Sequence, residues 1–252
     1  MTVLTLKAAY VNELRSLREK HHKETPAHDE LTAEVEPSSL TKGIYWPSVL
    51  AYNCPAARWL YYHNYGNGKH QMSDELLLKL EGGNAMHRRL ARTTYVDESG
   101  KRKRYFKRSN IELACEVDIS ILGGEFITIK GRADAIREIC NVNGKLAYEV
   151  IYEFKHNRTL PRSPYPDDKM QLNFYLNALN RPFGVLAYTS YVGLKGSSQT
   201  GIDIVEFTLR KNEKSYLLFL QRAKELHRQL IDNDPPFCIC KTRNHEILGD
   251  IS

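Results

Sequence analysis

Between residues 111 and 155 the chain carries three β-type runs, 111–122, 125–139 and 146–155, broken only by Gly123-Gly124 and Asn143-Gly144. Such dipeptides reverse a chain at low steric cost, so the runs read as an antiparallel meander. The Asn-Gly turn also sets a register. In a two-residue type I′ hairpin closed by residues 142 and 145, equal steps outward along both strands reach Asp134 and Glu153 together. Direct cross-strand neighbours have Cβ atoms about 4.5–5.5 Å apart. Lys155, two residues past Glu153, points to the same face. Opposed carboxylates repel, and a divalent cation between them removes the penalty. Hard oxygen ligands suit Mg²⁺ or Mn²⁺, and the neighbouring ammonium would stabilise charge on a phosphate. The competing reading is a solvent-facing strand with an ordinary Glu–Lys pair.

Around the meander the periodicity turns helical. Leu4, Ala8, Val11, Leu14 and Leu17 predict an amphipathic helix over 4–20, and the polar stretch 21–39, with Pro26 and Pro37, reads as a linker. Pro47 is placed to open a helix in the aromatic-rich segment 45–65. Further helices are predicted at 74–92, 167–180 and 213–231, and strands at 183–192 and 202–209. The order predicts an α/β fold with a mixed central β-sheet flanked by helices. Residues 1–43 form an N-terminal helical arm and linker, and 44–252 a single domain.

Composition narrows the function classes. Hydrophobic residues make up 42% of the 252 and charged residues 26%, which suits a soluble globular chain. No apolar run approaches the roughly 18 residues of a membrane span. The N-terminus lacks a signal-peptide pattern, and five cysteines, an odd number, point to a reducing compartment. The expected location is the cytoplasm. The 36 basic residues against 30 acidic give a net charge of +6. Six of the basic residues fall within 101–108: Lys101, Arg102, Lys103, Arg104, Lys107 and Arg108. With Tyr105 and Phe106 among them, the patch suits a phosphate backbone and an unstacked base. The plainer reading is a solvated hairpin turning at Ser99-Gly100.

Asp134, then Glu153-x-Lys155, then Gln171-x-x-x-Tyr175 resembles the layout of the PD-(D/E)XK nuclease superfamily. With Glu81-Gly82-Gly83-Asn84-Ala85-Met86-His87 added, residues 44–240 resemble its RecB-like branch, which includes CRISPR-associated adaptation exonucleases and related phage and recombination exonucleases. The resemblance implies a restriction-endonuclease-like core, with His87, Asp134, Glu153 and the Phe154 carbonyl binding metal. It implies Lys155 as the catalytic lysine, with Gln171 and Tyr175, one helical turn apart, positioning it or the DNA backbone. Arg58 and the 101–108 patch would hold nucleic acid. Glu116 reads either as support for the site or as a water-facing strand residue.

Cys54, in the segment Asn53-Cys54-Pro55, resembles the early cysteine of iron–sulfur members, with Cys238 and Cys240 as its late partners. The family carries a further late cysteine that this chain lacks, and His245 is an unusual substitute. An iron–sulfur cluster and a degenerate, simply packed Cys54 are both open. Cys115 and Cys140 are expected to be core thiols. The activity implied is a Mg²⁺- or Mn²⁺-dependent deoxyribonuclease, an exonuclease on single strands or duplex ends that hydrolyses phosphodiesters with metal-activated water. Three alternatives stand beside it. One is a non-catalytic nucleic-acid-binding subunit; another is a partner-dependent subunit of a recombination, repair, replication or CRISPR adaptation complex. The third is an RNA-directed nuclease.

Overall fold

The meander forms and organises everything else. In chain order the elements are β1 (Ile44–Tyr45), α1 (Pro47–Leu50), α2 (Pro55–Gly66), α3 (Asp74–Ala91), β2 (Thr94–Val96), β3 (Arg102–Arg104), β4 (Ile111–Ser120), β5 (Phe126–Cys140), β6 (Leu146–His156), α4 (Pro166–Ala178), β7 (Phe183–Gly193), β8 (Thr200–Arg210) and α5 (Glu213–Ile231). The computed structural model describes residues 6, 43–66, 74–97, 99–121, 123–141, 143–157, 159–193 and 200–238. Apart from Leu6, the helix read at 4–20 and the linker at 21–39 lie outside the described residues. No described helix is long and apolar enough to cross a membrane.

The sheet is mixed, as the element order predicts. β4 and β6 pair antiparallel with β5, β7 runs parallel to β6, and β8 returns antiparallel to β7. The parallel β6–β7 pair needs a crossover, which α4 supplies. β5 is 15 residues long, longer than any single neighbour. On the edge away from β4 it is shared: β1 pairs parallel with Thr128 and Ile129, and β6 pairs from Ala135 onward. Between them, residues 130–134 have no strand partner on that edge, and the site develops there.

The hairpin between β5 and β6 departs from the two-residue type I′ turn. Asn141 N–H donates to the Lys145 carbonyl at 2.8 Å, and the Asn141 side chain accepts from the backbone N–H of Asn143 and Lys145, both at 3.0 Å. Among the described residues of the turn only Gly144 has positive φ, at 72°. The turn is therefore one residue longer than a two-residue hairpin, shifting the register by one. A bulge between Ile139 and Cys140, where Cys140 faces Leu146 and Ile139 faces Tyr148, shifts it back. The expected register reappears from Ile139↔Tyr148 to Ala135↔Tyr152, restored by two compensating irregularities.

Helices cover both faces. On one, Leu172, Phe174 and Leu176 of α4 and Phe219, Ala223 and Leu226 of α5 pack on Ile127, Ile129, Ile151 and Leu186. On the other, Leu6, Met86 and Leu90 cover Ala135, Tyr152, Phe154 and Ala187. Tyr105 and Phe106 join that second cluster at 4% and 0% exposure, which overturns their reading as base-stacking residues. They are apolar anchors that root the basic hairpin in the core. Cys115 is buried as expected. Cys140 is exposed instead, because it ends β5 at the bulged hairpin tip.

Gly131 sits on the unpaired edge of β5. A Cβ there would meet Pro47 Cγ at 2.7 Å and Tyr175 Cε1 at 2.9 Å, two rigid rings that cannot step aside cheaply. Gly131→Ala is expected to cost about 1–3 kcal/mol in urea unfolding, whereas Gly83→Ala in α3, with open space at its Cβ, carries no such cost.

Candidate active site

Three elements meet where β5 and β6 diverge. The ladder ends at Ala135↔Tyr152, so Asp134 and Glu153 are the first residues beyond it. Asp134 Oδ2 accepts the Phe154 backbone N–H at 2.6 Å, which draws its carboxylate across the split. Glu153 and Lys155 alternate along β6 toward α4, while Phe154 turns the other way into the core. α4 brings Gln171 to this face, and Tyr175 follows one turn later with its ring against Gly131.

The polar contacts are closed on one side and open on the other. Lys155 Nζ donates to Glu153 Oε1 at 3.0 Å and to Gln171 Oε1 at 2.7 Å. Gln171 Nε2 donates to the same Glu153 Oε1 at 2.8 Å. An amide between an ammonium and a carboxylate has one consistent orientation, so Gln171 fixes both neighbours. Glu153 Oε1 is doubly served. Glu153 Oε2 is buried and has no hydrogen-bond partner among the described residues.

The electrostatics follow. Burial, with Asp134 nearby, pushes the Glu153 carboxyl up to about 8, against the pull of Lys155. Burial opposes the Lys155 ammonium, but Glu153, Asp168 and Asp134 outweigh it and raise its pKa. His87 Nδ1 stands 3.5 Å from Asp134 Oδ1, and its ring packs edge-on to Phe154. Burial disfavours the imidazolium, yet the Asp134 carboxylate raises the His87 pKa overall. Burial also raises the Tyr175 phenol, which stays protonated.

An orphaned, buried carboxylate oxygen beside a second carboxylate fits a hard divalent cation. Mg²⁺ in particular binds through one or two carboxylates and keeps water or phosphate oxygens in its other positions. Among the described residues no three His, Cys, Asp or Glu side chains already converge on a single point. The fit therefore rests on the Asp134–Glu153 pair, with His87 at present directed to Asp134.

Asp134 opens onto a cleft of about 1420 Å³, and Glu153 lies buried beside it. Asp134, His87, Phe154 and Tyr175 line it, and Arg88, Arg92, Arg104 and Arg108 rim it. These four arginines have no carboxylate partner among the described residues. Lys130 and Arg132 also face the cleft, but they pair with Glu116 at 3.0 Å and Glu112 at 3.6 Å. Glu116 is thus a cross-strand partner of Lys130 on the cleft wall. Sequence reading missed Arg88 and Arg92, although Asn84, His87, Arg88 and Ala91 recur at helical spacing along one face of α3. It also missed Lys130 and Arg132, which alternate with Asp134 on β5.

The basic segment divides. Arg104 and Arg108 face the cleft. Lys103 pairs with Asp97 at 2.8 Å, Lys107 pairs with Glu138, and Arg102 Nε donates to Thr94 Oγ1 at 3.1 Å. Lys101 lies at the tip of the β2–β3 hairpin, where its backbone N–H is held by Asp97. Arg58 is 4% exposed, donates to the Tyr52 carbonyl and is not among the residues that line the cleft.

The thiols of Cys54 and Cys238 stand 3.8 Å apart, although 184 residues separate them. Two thiols are fewer than the four protein ligands an iron–sulfur cluster takes. Cys240 and His245 lie outside the described residues, and no step is derived through a cluster.

No family model matches this chain, and no curated protein matches it. Among the solved structures that are similar in part are two. One, titled "Crystal structure of SSO0001", is 20% identical, covers 89% of this chain and 87% of its own, and has a TM-score of 0.45. The other, titled "Crystal Structure of LHK-Exo in complex with dAMP", is 13% identical, covers 76% of this chain and 90% of its own, and has a TM-score of 0.36.

The raised Glu153 pKa has a measurable sign. A group with a folded pKa near 8 and an ordinary value of 4.5 favours the fold while protonated. That stability is complete below about 4.5 and lost as pH rises to about 8. Thermal melts of cation-free protein are expected to fall across this window, and those of Glu153→Gln to fall less. Mn²⁺ is expected to raise the wild-type midpoint most at the alkaline end.

Proposed function

We propose that this chain hydrolyses phosphodiester bonds in DNA with the help of a divalent cation, acting on single strands or duplex ends. The observation that carries the reading is the buried Glu153, with one oxygen saturated and the other bare, beside Asp134, which lines an arginine-rich cleft. A purely structural sheet gains nothing from a half-satisfied buried carboxylate. A Mg²⁺ or Mn²⁺ ion held by Asp134 and Glu153, with His87 in reach, would supply Lewis acidity and favour deprotonation of water.

The chain's own residues do the rest. Arg88, Arg92, Arg104 and Arg108 neutralise the nucleic-acid backbone and hold it along the cleft. Lys155 keeps its proton and offers a fixed positive charge to the phosphate oxygens as charge builds on them. Gln171 locks Lys155 and Glu153 in one geometry, so little reorganisation is needed during reaction. Tyr175, wedged on Gly131, closes the back of the site.

The test is a cleavage assay on end-labelled single- and double-stranded DNA with Mn²⁺. Asp134→Ala, Glu153→Ala and Lys155→Ala are each expected to lower cleavage at least about 10²-fold while melting as folded proteins. Full activity in any one of them contradicts the reading. RNA of the same sequence, run in competition, separates a DNA-directed from an RNA-directed nuclease.

Binding is expected to be salt-sensitive and largely indifferent to sequence. With four arginines engaged, log Kd for single-stranded DNA should change with log salt at a slope of about 3. Removing Arg88 or Arg92 should reduce that slope by about 0.7 each. An unchanged slope would place the strand elsewhere.

A further inference from the structure

Lys155 has a third polar neighbour that the reading above does not use. Asp168 lies in the first turn of α4, one helical turn before Gln171, and its Oδ1 stands 3.6 Å from Lys155 Nζ. Its other oxygen, Oδ2, accepts the Tyr188 hydroxyl at 2.7 Å. Tyr188 is fully buried on β7, directly alongside Lys155 in the parallel ladder. The same hydroxyl accepts the backbone N–H of Tyr165, the residue that caps the start of α4, at 3.1 Å. The helix start, β7 and β6 are thereby tied through one carboxylate to one ammonium.

The charges give this arrangement a purpose. Lys155 sits between two carboxylates, Glu153 and Asp168, but Glu153 is also the group that must serve a cation. Were Glu153 the sole counter-charge, the ammonium and a divalent cation would compete for it. With Asp168 present the charges separate into two neutral sets: Asp134 and Glu153 with a divalent cation, and Asp168 with Lys155. Glu153 Oε1 keeps its contacts with Lys155 and Gln171, and Oε2 is left for the cation.

We propose that Asp168, held by Tyr188, is a positioning residue that carries the charge of Lys155 and so leaves Glu153 available to a divalent cation. This rests on the nuclease reading. It assigns a role to a residue outside the Asp134, Glu153-x-Lys155 and Gln171-x-x-x-Tyr175 set.

The experiment compares wild type, Asp168→Asn, Asp168→Glu and Tyr188→Phe in two measurements. The first is Mn²⁺ alone, titrated into each protein without DNA and followed by calorimetry and thermal shift. The second is steady-state cleavage, resolved into kcat and KM. Asp168→Asn is expected to weaken Mn²⁺ binding and lower kcat, each by about 10- to 100-fold, with KM for DNA unchanged. Asp168→Glu should recover part of both losses, and Tyr188→Phe should show a smaller loss of the same kind.

Asp168→Asn with wild-type Mn²⁺ affinity and kcat overturns the positioning role and leaves the nuclease reading standing. A parallel rise in KM, or a fall in thermal midpoint that Asp168→Glu does not repair, reassigns Asp168 to simple structural support and likewise overturns it. Wild type that neither binds Mn²⁺ nor cuts DNA overturns both.

Discussion

Burying a carboxylate requires that its charge be met from within the protein, and at Glu153 only half of that requirement is satisfied. One oxygen takes bonds from both Lys155 and Gln171, and the other has none among the described residues. The surrounding architecture sustains this imbalance. β6 is an interior strand flanked by β5 and β7, so Glu153 cannot swing out to water. α4 holds Gln171 against it, and the Tyr188–Asp168 contact fixes the start of the helix. Asp134 is brought alongside because the β5–β6 ladder stops one residue short of it.

The cleft extends the same logic outward. Its cationic side chains come from two successive elements: α3 and the turn that ends it contribute Arg88 and Arg92, and the hairpin region that follows contributes Arg104 and Arg108. What holds the hairpin in place is apolar. Tyr105 and Phe106 sink into the core against Tyr152 and Phe154, and Arg137 stacks over the Tyr105 ring at 3.9 Å. A segment that reads as charge is thus positioned by burial, with two of its six basic side chains directed into the cleft.

The long strands and helices of the described region were legible because their periodicity is strong, and α5 occupies the residues expected for it, 213–231; the short β1 and β2, and the break between α1 and α2, were not. The closeness of Asp134 to Glu153 was legible too, although the ladder ends one residue before them at Ala135↔Tyr152 and the cause read for it was incomplete. The Asn143-Gly144 signal predicts a two-residue turn. The longer loop and the opposing bulge near Cys140 depend on side-chain hydrogen bonds from Asn141, which periodicity does not register. Burial was harder to read. Arg58 is charged and Tyr105 sits in a basic stretch, yet tertiary packing places both inside, while Cys140, at the end of a strand-like run, projects at a hairpin tip. The convergence of α3, β5 and the basic hairpin on one cleft is a tertiary fact with no local signature.

The central claim is that the bare oxygen of Glu153 is one wall of a divalent-cation seat. Diffraction from crystals grown with Mn²⁺, measured at the manganese absorption edge, tests it without reference to activity. The account expects an anomalous peak within bonding distance of Glu153 Oε2 and an Asp134 oxygen, with Lys155 still on Oε1. No peak at saturating Mn²⁺, or a peak that Glu153 does not touch, would contradict it.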